Sequence, residues 1–265
     1  MAVISIPFLA FIALLAVLVV YVIGAAKRQS DARRNDLSAL ASHFGLQFIP
    51  GTLNDRLPGG VMGQIFGDRS LTESGQFIAR FAALWPFGQG EFQRAYNLIY
   101  GSYGGQDWTL FDYGYQTTSQ SAPINGIPQT STVIHSFGVI CARVPCDLPS
   151  IHLSPENFLH RVGCKLGVHE MTFESEEFNH RYFIRSNDER AAYDILHPQA
   201  IDYLLTLPVR DWQICGCQIV IARSGHYSIE EIPRVMGEID GFIRLIPGYV
   251  REDRGFVPDW KGPFK

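Results

Sequence analysis

From Ile4 to Ala26 the chain runs for 23 residues without a charge, and Lys27, Arg28, Arg33 and Arg34 follow almost at once. Written as an α-helix, such a run rises about 35 Å, enough to cross a hydrocarbon core of about 30 Å with some tilt. Only a helix satisfies its own backbone there, and Leu, Ile, Val and Phe favour insertion by roughly 4–8 kcal/mol. Pro7 falls in the first turn, where its missing N–H costs little. Gly24-Ala25-Ala26 offers small residues of the kind a signal peptidase accepts. The run has no basic flank before it, however, and exceeds the roughly 7–15 apolar residues of a signal peptide, so a retained anchor is expected.

The basic residues lie on one side of the run only, which places the C-terminal side in the cytoplasm by the positive-inside rule. The expected location is therefore the inner (plasma) membrane, single-pass, with residues 1–3 outward. Lys27, Arg28, Arg33 and Arg34 then act as a topology signal that also draws on anionic headgroups. Ala10, Ala13 and Ala16 recur every third position and could seat a neighbouring membrane helix.

After the anchor (4–26) and a basic linker (27–35), residues 36–246 read as a soluble domain, with a lobe boundary near 116–131 or 145–154. An extended tail, 247–265, follows. The net charge of −4 leaves no electrostatic footprint for nucleic acid. Five cysteines, an odd number without framework spacing, fit a reducing compartment.

Within the domain, Asp36 to Phe44 reads as a short helix stopped by Gly45. Residues 50–76 are rich in Gly, Pro and polar side chains and predict turns. Phe77 to Trp85 alternates like a strand. Trp85-Pro86-Phe87-Gly88 then forms an aromatic turn that either grips a partner or the membrane, through Trp85 and Phe87, or covers the domain's own core. Tyr96–Tyr100 and Trp108–Tyr115 flank a Gly-rich turn and predict a hairpin. Residues 116–131 are polar and predict a long loop, and Thr132 to Val144 predicts a strand.

Ser154-Pro155-Glu156-Asn157 carries a helix-start pattern. Glu170–Phe173 and Phe178–Arg185 look like strands, and helices are expected at 188–196 and 198–205, broken at His197-Pro198. Trp212–Arg223 predicts a strand or hairpin around Gly216. Ser228-Ile229-Glu230-Glu231 is a capping box opening a helix. The tail lacks periodicity but carries Trp260 and Phe264, candidate partner contacts. The fold class expected is α+β: one N-terminal transmembrane helix, then a mainly antiparallel-sheet cytoplasmic domain with several helices.

Signatures for nucleotide phosphates, dinucleotides, a nucleophile elbow and a zincin helix are missing from the sequence. The best metal candidates are His160, Cys164 and His169. The first two are four apart on one face of a predicted helix, but the third lies past a turn and no fourth is fixed. Cys215 and Cys217 flank Gly216 in a β-like run and read as small core residues rather than a soft-metal pair. Glutamates 170, 174, 176 and 177 read as a solvated acidic surface, with Arg181 and Arg185 able to pair with them. No cofactor is expected.

Leu40-Ala41 with Gly45-Leu46 and Phe48, Gly101 with Phe111-Asp112-Tyr113 and Tyr115, Leu153-x-Pro155-Glu156, and Phe178…Arg181-Tyr182 before Asp188-Glu189 together resemble a pattern in bacterial proteins with one N-terminal membrane anchor and no assigned activity. That resemblance covers roughly residues 36–246 and implies an architecture, not a reaction. The function expected is a non-enzymatic accessory, scaffold or assembly subunit of a larger membrane complex. Its partners would be other membrane-protein subunits and the bilayer. The alternatives are a membrane-tethered domain that binds a small ligand or lipid, and, behind it, a metal-dependent hydrolase.

Overall fold

The computed structural model describes residues 6–52, 77–124, 127–155 and 169–255; the side chains of 6–13, 52, 122–124, 127, 128 and 169 lie outside that description. Anchor, linker and first domain helix are one element: helix α1 runs unbroken from Ile6 to His43. Nothing between Ala26 and Phe44 breaks a helix, so the basic stretch 27–35 is helical rather than a linker. The helix ends in a Schellman arrangement. Gly45, at φ 65°, follows the last turn, Leu46 N–H donates to the Ala41 carbonyl at 2.8 Å, and Gly45 N–H donates to that of Ser42 at 3.2 Å.

Strands β1 (Gln47–Thr52), β2 (Glu91–Tyr103), β3 (Gln106–Ile124) and β4 (Ile127–Pro155) follow, then β5 (His169–Met171), helix α2 (Glu176–Arg181) and β6 (Tyr182–Ser186). Helices α3 (Glu189–Ile195) and α4 (Pro198–Thr206), strand β7 (Trp212–Ser224), and helices α5 (Glu231–Leu245) and α6 (Gly248–Asp253) complete the described fold. The seven strands form one sheet in the order β1-β2-β3-β4-β6-β5, with β7 also on β4, and every named strand pair is antiparallel.

Strand β4 is the spine of this α+β fold. Residues 138–143 lie between β3 and β7; after a register break between Arg143 and Leu148, residues 151–153 lie between β6 and β7. Alternation along the central strands supplies two cores. Leu110, Ile140, Ala142, Ile219 and Ile221 meet α1, α5 and the other helices, whereas Phe111, Tyr113, Val139, Cys141, Val220 and Ala222 meet the 77–87 segment. The capping box of α5 forms as expected: Ser228 N–H donates to Glu231 Oε2 at 2.9 Å, and Glu231 N–H to Ser228 Oγ at 3.3 Å.

Several segments differ from their sequence reading. Phe77 opens a helical turn and further turns reach Gly88, because Phe77, Phe81 and Leu84 share a buried face at helical spacing. The polar stretch 116–131 is no loop in its described part: residues 116–124 and 127–131 belong to the paired strands β3 and β4. Ser154 and Pro155 close β4 instead of starting a helix there, and Phe178 to Arg181 belong to α2, capped by Ser175. The first tail residues form α6. Residues 53–76 and the proposed metal helix near 156–168 lie outside the described residues.

Gly138 on β4 faces Tyr227, and a Cβ there would stand 2.7 Å from the ring's Cδ2 and 3.1 Å from the Tyr227 backbone nitrogen. Gly138→Ala is therefore expected to cost about 2 kcal/mol through overpacking, read as a lowered midpoint in chemical denaturation.

Candidate functional site: the junction of helix and sheet

Arg33, Leu37 and Ala41 recur at four-residue spacing and form the face that α1 lays on the sheet. Leu37 and Ala41 are buried among Ile99, Leu110 and Ile140. One turn further toward the N-terminus, Arg33 meets Asp112 of β3, a side chain only 4% exposed. The pair is bidentate: Arg33 Nε donates to Oδ2 at 3.0 Å and Nη2 to Oδ1 at 2.8 Å. Nη1 donates to the Tyr227 carbonyl at 2.8 Å, which ties the same guanidinium to the chain just ahead of α5.

Two more groups converge on the carboxylate. Asn97 Nδ2 donates to Oδ2 at 2.9 Å, and His226 Nδ1 lies 3.2 Å from Oδ1. Asn97 sits at φ 54°, where β2 shifts register against β3, and its Oδ1 accepts from Gly51 N–H at 3.4 Å. Asparagine tolerates this left-handed conformation better than most residues, so it can turn its amide toward Asp112 from within a strand. Burial opposes ionisation of Asp112, but the hydrogen bonds from His226, Arg33 and Asn97 and the Arg33 charge outweigh it and hold the carboxyl below its ordinary range. Burial, with Asp112 nearby, pushes the Tyr96 phenol up to about 12.

A second polar chain lies on the far part of the sheet. His152 Nε2 is 3.1 and 3.0 Å from the two oxygens of the buried Asp211. Gln213 donates to Asp211 Oδ1 at 2.8 Å and to the Trp85 carbonyl at 2.7 Å, and its Oε1 accepts from Trp85 N–H at 2.6 Å. A His–Asp pair is the base half of a hydrolytic triad. Among the described residues, however, no Ser, Thr or Cys is hydrogen-bonded to His152, and the nearby Ser154 Oγ donates to the Phe183 carbonyl at 3.3 Å. The chain's evident work is to fasten the Trp85 backbone.

The residues singled out from sequence are scattered. Arg33 is in the junction. Lys27 and Arg28 are exposed on α1, and Arg34 pairs loosely with Asp31 at 3.8 Å. Ala10, Ala13 and Ala16 lie on α1, and Ala16 is exposed. Trp85 and Phe87 are buried in the domain's own core, Trp85 edge-on to Phe137; they are not surface contacts.

His160, Cys164, Trp260 and Phe264 lie outside the described residues, and His169 contributes its backbone to β5. Among the described residues, no group of His, Cys, Asp and Glu could hold a metal ion. No disulfide links the described cysteines. Cys215 and Cys217 do not simply alternate, because Gly216 between them sits at φ 57°.

Sequence reasoning missed Asp112, Asn97 and His226 as a site. The available signal was Asp112 itself, which shares the inward face of β3 with Leu110. A buried carboxylate requires a cationic or hydrogen-bonding partner.

Along α1 the apolar side chains from Leu14 to Ile23 are exposed, Val20 and Tyr21 to 70%. Among the described residues no helix is long and apolar enough to cross a membrane. The described side chains of the uncharged run start at Leu14, and the 13 residues from there to Ala26 rise only about 20 Å. A full crossing would need residues 4–13 as well.

No protein-family profile matches the chain, and no curated protein sequence matches it. Among solved structures it is similar to that of the mycobacterial trehalose monomycolate transport factor A, TtfA, with 12% identity, a TM-score of 0.48 and coverage of 85% of this chain and 98% of that one.

Proposed function

We propose that this chain is a non-enzymatic accessory or scaffold subunit of a larger membrane assembly. It is held by its N-terminal helix in the inner membrane and presents an α+β domain to partner chains on the cytoplasmic side. The observation that carries the reading is the unbroken α1. One part of the helix exposes a run of large apolar side chains, and the other is locked to the sheet through Arg33 and Asp112. Such exposure on a water-soluble surface is costly, so bilayer or neighbouring helices are its natural cover. Because one unbroken helix carries both the exposed apolar run and the contacts to the sheet, the direction of the anchor also sets the orientation of the domain against its partners.

The test is detergent extraction of the full chain from its own membranes, followed by native sizing. The expected result is co-migration with at least one other membrane-protein chain. A lone chain of 29.7 kDa with its detergent overturns the reading.

A further inference from the structure

The chain that enters β7, residues 209–211, and the chain that leaves it, residues 221–224, line one cleft. Two irregularities bend the strands between them. Gly216 sits at φ 57° in the middle of β7, and β4 shifts register on either side of Leu148, the partner of Gly216. Trp85 and Tyr227 join the lining, and the cleft holds about 340 Å³. That volume falls in the roughly 300–1,000 Å³ range of small-molecule sites. Trp85, Val209, Ile221 and Ala222 supply its apolar surface, and Gln213 fixes the Trp85 backbone from behind.

The polar part of the lining has donors to spare and its one carboxylate already engaged. Both oxygens of Asp211 face His152, and Oδ1 also accepts from Gln213. Arg210 gives Nε and Nη2 to Glu238, and Arg223 gives Nη1 to Glu231 at 2.8 Å. Arg210 Nη1 and Arg223 Nε and Nη2 are left without a hydrogen-bond partner among the described residues. Neither glutamate lines the cleft; each orients a guanidinium that does. Two guanidiniums against one carboxylate leave the lining net positive.

Tyr227 adds a second sign of unspent donor capacity. It is 3% exposed, its phenol stands within the field of both ion pairs, and Arg223 lies over its ring at 5.1 Å. Its hydroxyl has no hydrogen-bond partner among the described residues. A buried orphan of this kind costs about 1–3 kcal/mol, which an acceptor drawn in beside it helps to recover.

We infer that this cleft binds a small monocarboxylate with an apolar body. The carboxylate takes the open edges of Arg223 and Arg210, where charge-assisted hydrogen bonds are the strong ones. The body, a single ring or a short alkyl chain, lies on Trp85, Val209 and Ile221. A cation would find the Asp211 oxygens already engaged. An inorganic anion would meet the charges but leave the apolar wall unused. The inference does not depend on the accessory-subunit reading.

The test titrates the full chain in detergent with 3-phenylpropionate, read by calorimetry, alongside 3-phenylpropionamide and inorganic phosphate. The expected result is saturable binding of the carboxylate, with the amide and phosphate weaker by about tenfold or more, equivalent to about 1.4 kcal/mol. Two variants check the place. Arg223→Gln removes donors from a side chain 40% exposed, and Val209→Glu sets a competing carboxylate at a position 45% exposed. Each is expected to weaken 3-phenylpropionate about tenfold and to keep the thermal midpoint, as surface substitutions usually do. No carboxylate binding, equal binding of the amide or of phosphate, or undiminished binding to either folded variant overturns the site. All of these outcomes leave the accessory reading standing, because that reading is decided by co-migration of the extracted chain.

Discussion

Replacing Arg33 with alanine is expected to lower the stability of the domain by about 3 kcal/mol and to release α1 from the sheet, because the loss of one partner strands a buried carboxylate. Asp112 would keep only Asn97 and the half-exposed His226. Tyr227 would lose the guanidinium from its carbonyl, loosening the start of α5. Arg33→Lys should recover part of the loss, since it restores the charge but not the bidentate fork. Urea denaturation gives the stability, and hydrogen exchange across residues 33–43 reports whether the helix has come away. An Arg33→Ala protein with unchanged midpoint and exchange would remove the junction from the account.

The same site predicts an acid dependence. The folded pKa of Asp112 lies below its unfolded value of about 3.9, so the contribution is complete above that value and is lost as pH falls through the folded pKa. Asp112→Asn should flatten that part of the stability profile below about pH 4.

Where side chains alternate or repeat against a core, the sequence was a good guide. The Tyr96–Tyr115 hairpin, the break at His197-Pro198, the α5 capping box and the mainly antiparallel α+β class follow from local pattern and are present. It misled where two physical readings of one pattern compete. Arg33 and Arg34 count equally as topology signals, yet the four-residue phase of Arg33 with Leu37 and Ala41 makes one of them a docking residue. The described far end of the β3–β4 pair, 117–121 and 129–134, has no alternation to read, because its side chains on both faces are exposed, so it looked like loop. Phe77 and Phe81 satisfy a strand period and a helical period alike. The junction depends on contacts between residues as much as 194 positions apart in sequence, such as Arg33 and Tyr227. No spacing rule on a single chain reaches that far; the lone carboxylate in the inward register of β3 is the local trace it leaves.

Gln213→Ala is expected to cost about 3 kcal/mol, near the top of what a single polar substitution removes. Gln213 is only 2% exposed, and its amide satisfies both the N–H and the carbonyl of Trp85 while also donating to Asp211. Truncation withdraws three hydrogen bonds at a place that alanine leaves too distant to repair. Each buried orphan costs about 1–3 kcal/mol, offset where the segment can open to water. Opening is the expected relief. The 77–87 segment covers the second core through Phe77, Phe81, Trp85 and Phe87 packed on Phe111, Tyr113 and Phe137. Its release should appear as new protease cleavage between Phe77 and Gly88 before global unfolding. His152→Ala, which leaves Gln213 and Trp85 joined, should shift stability less and leave that cleavage pattern unchanged. Equal effects of the two substitutions would show that the His152–Asp211 pair, rather than the glutamine, holds the cap.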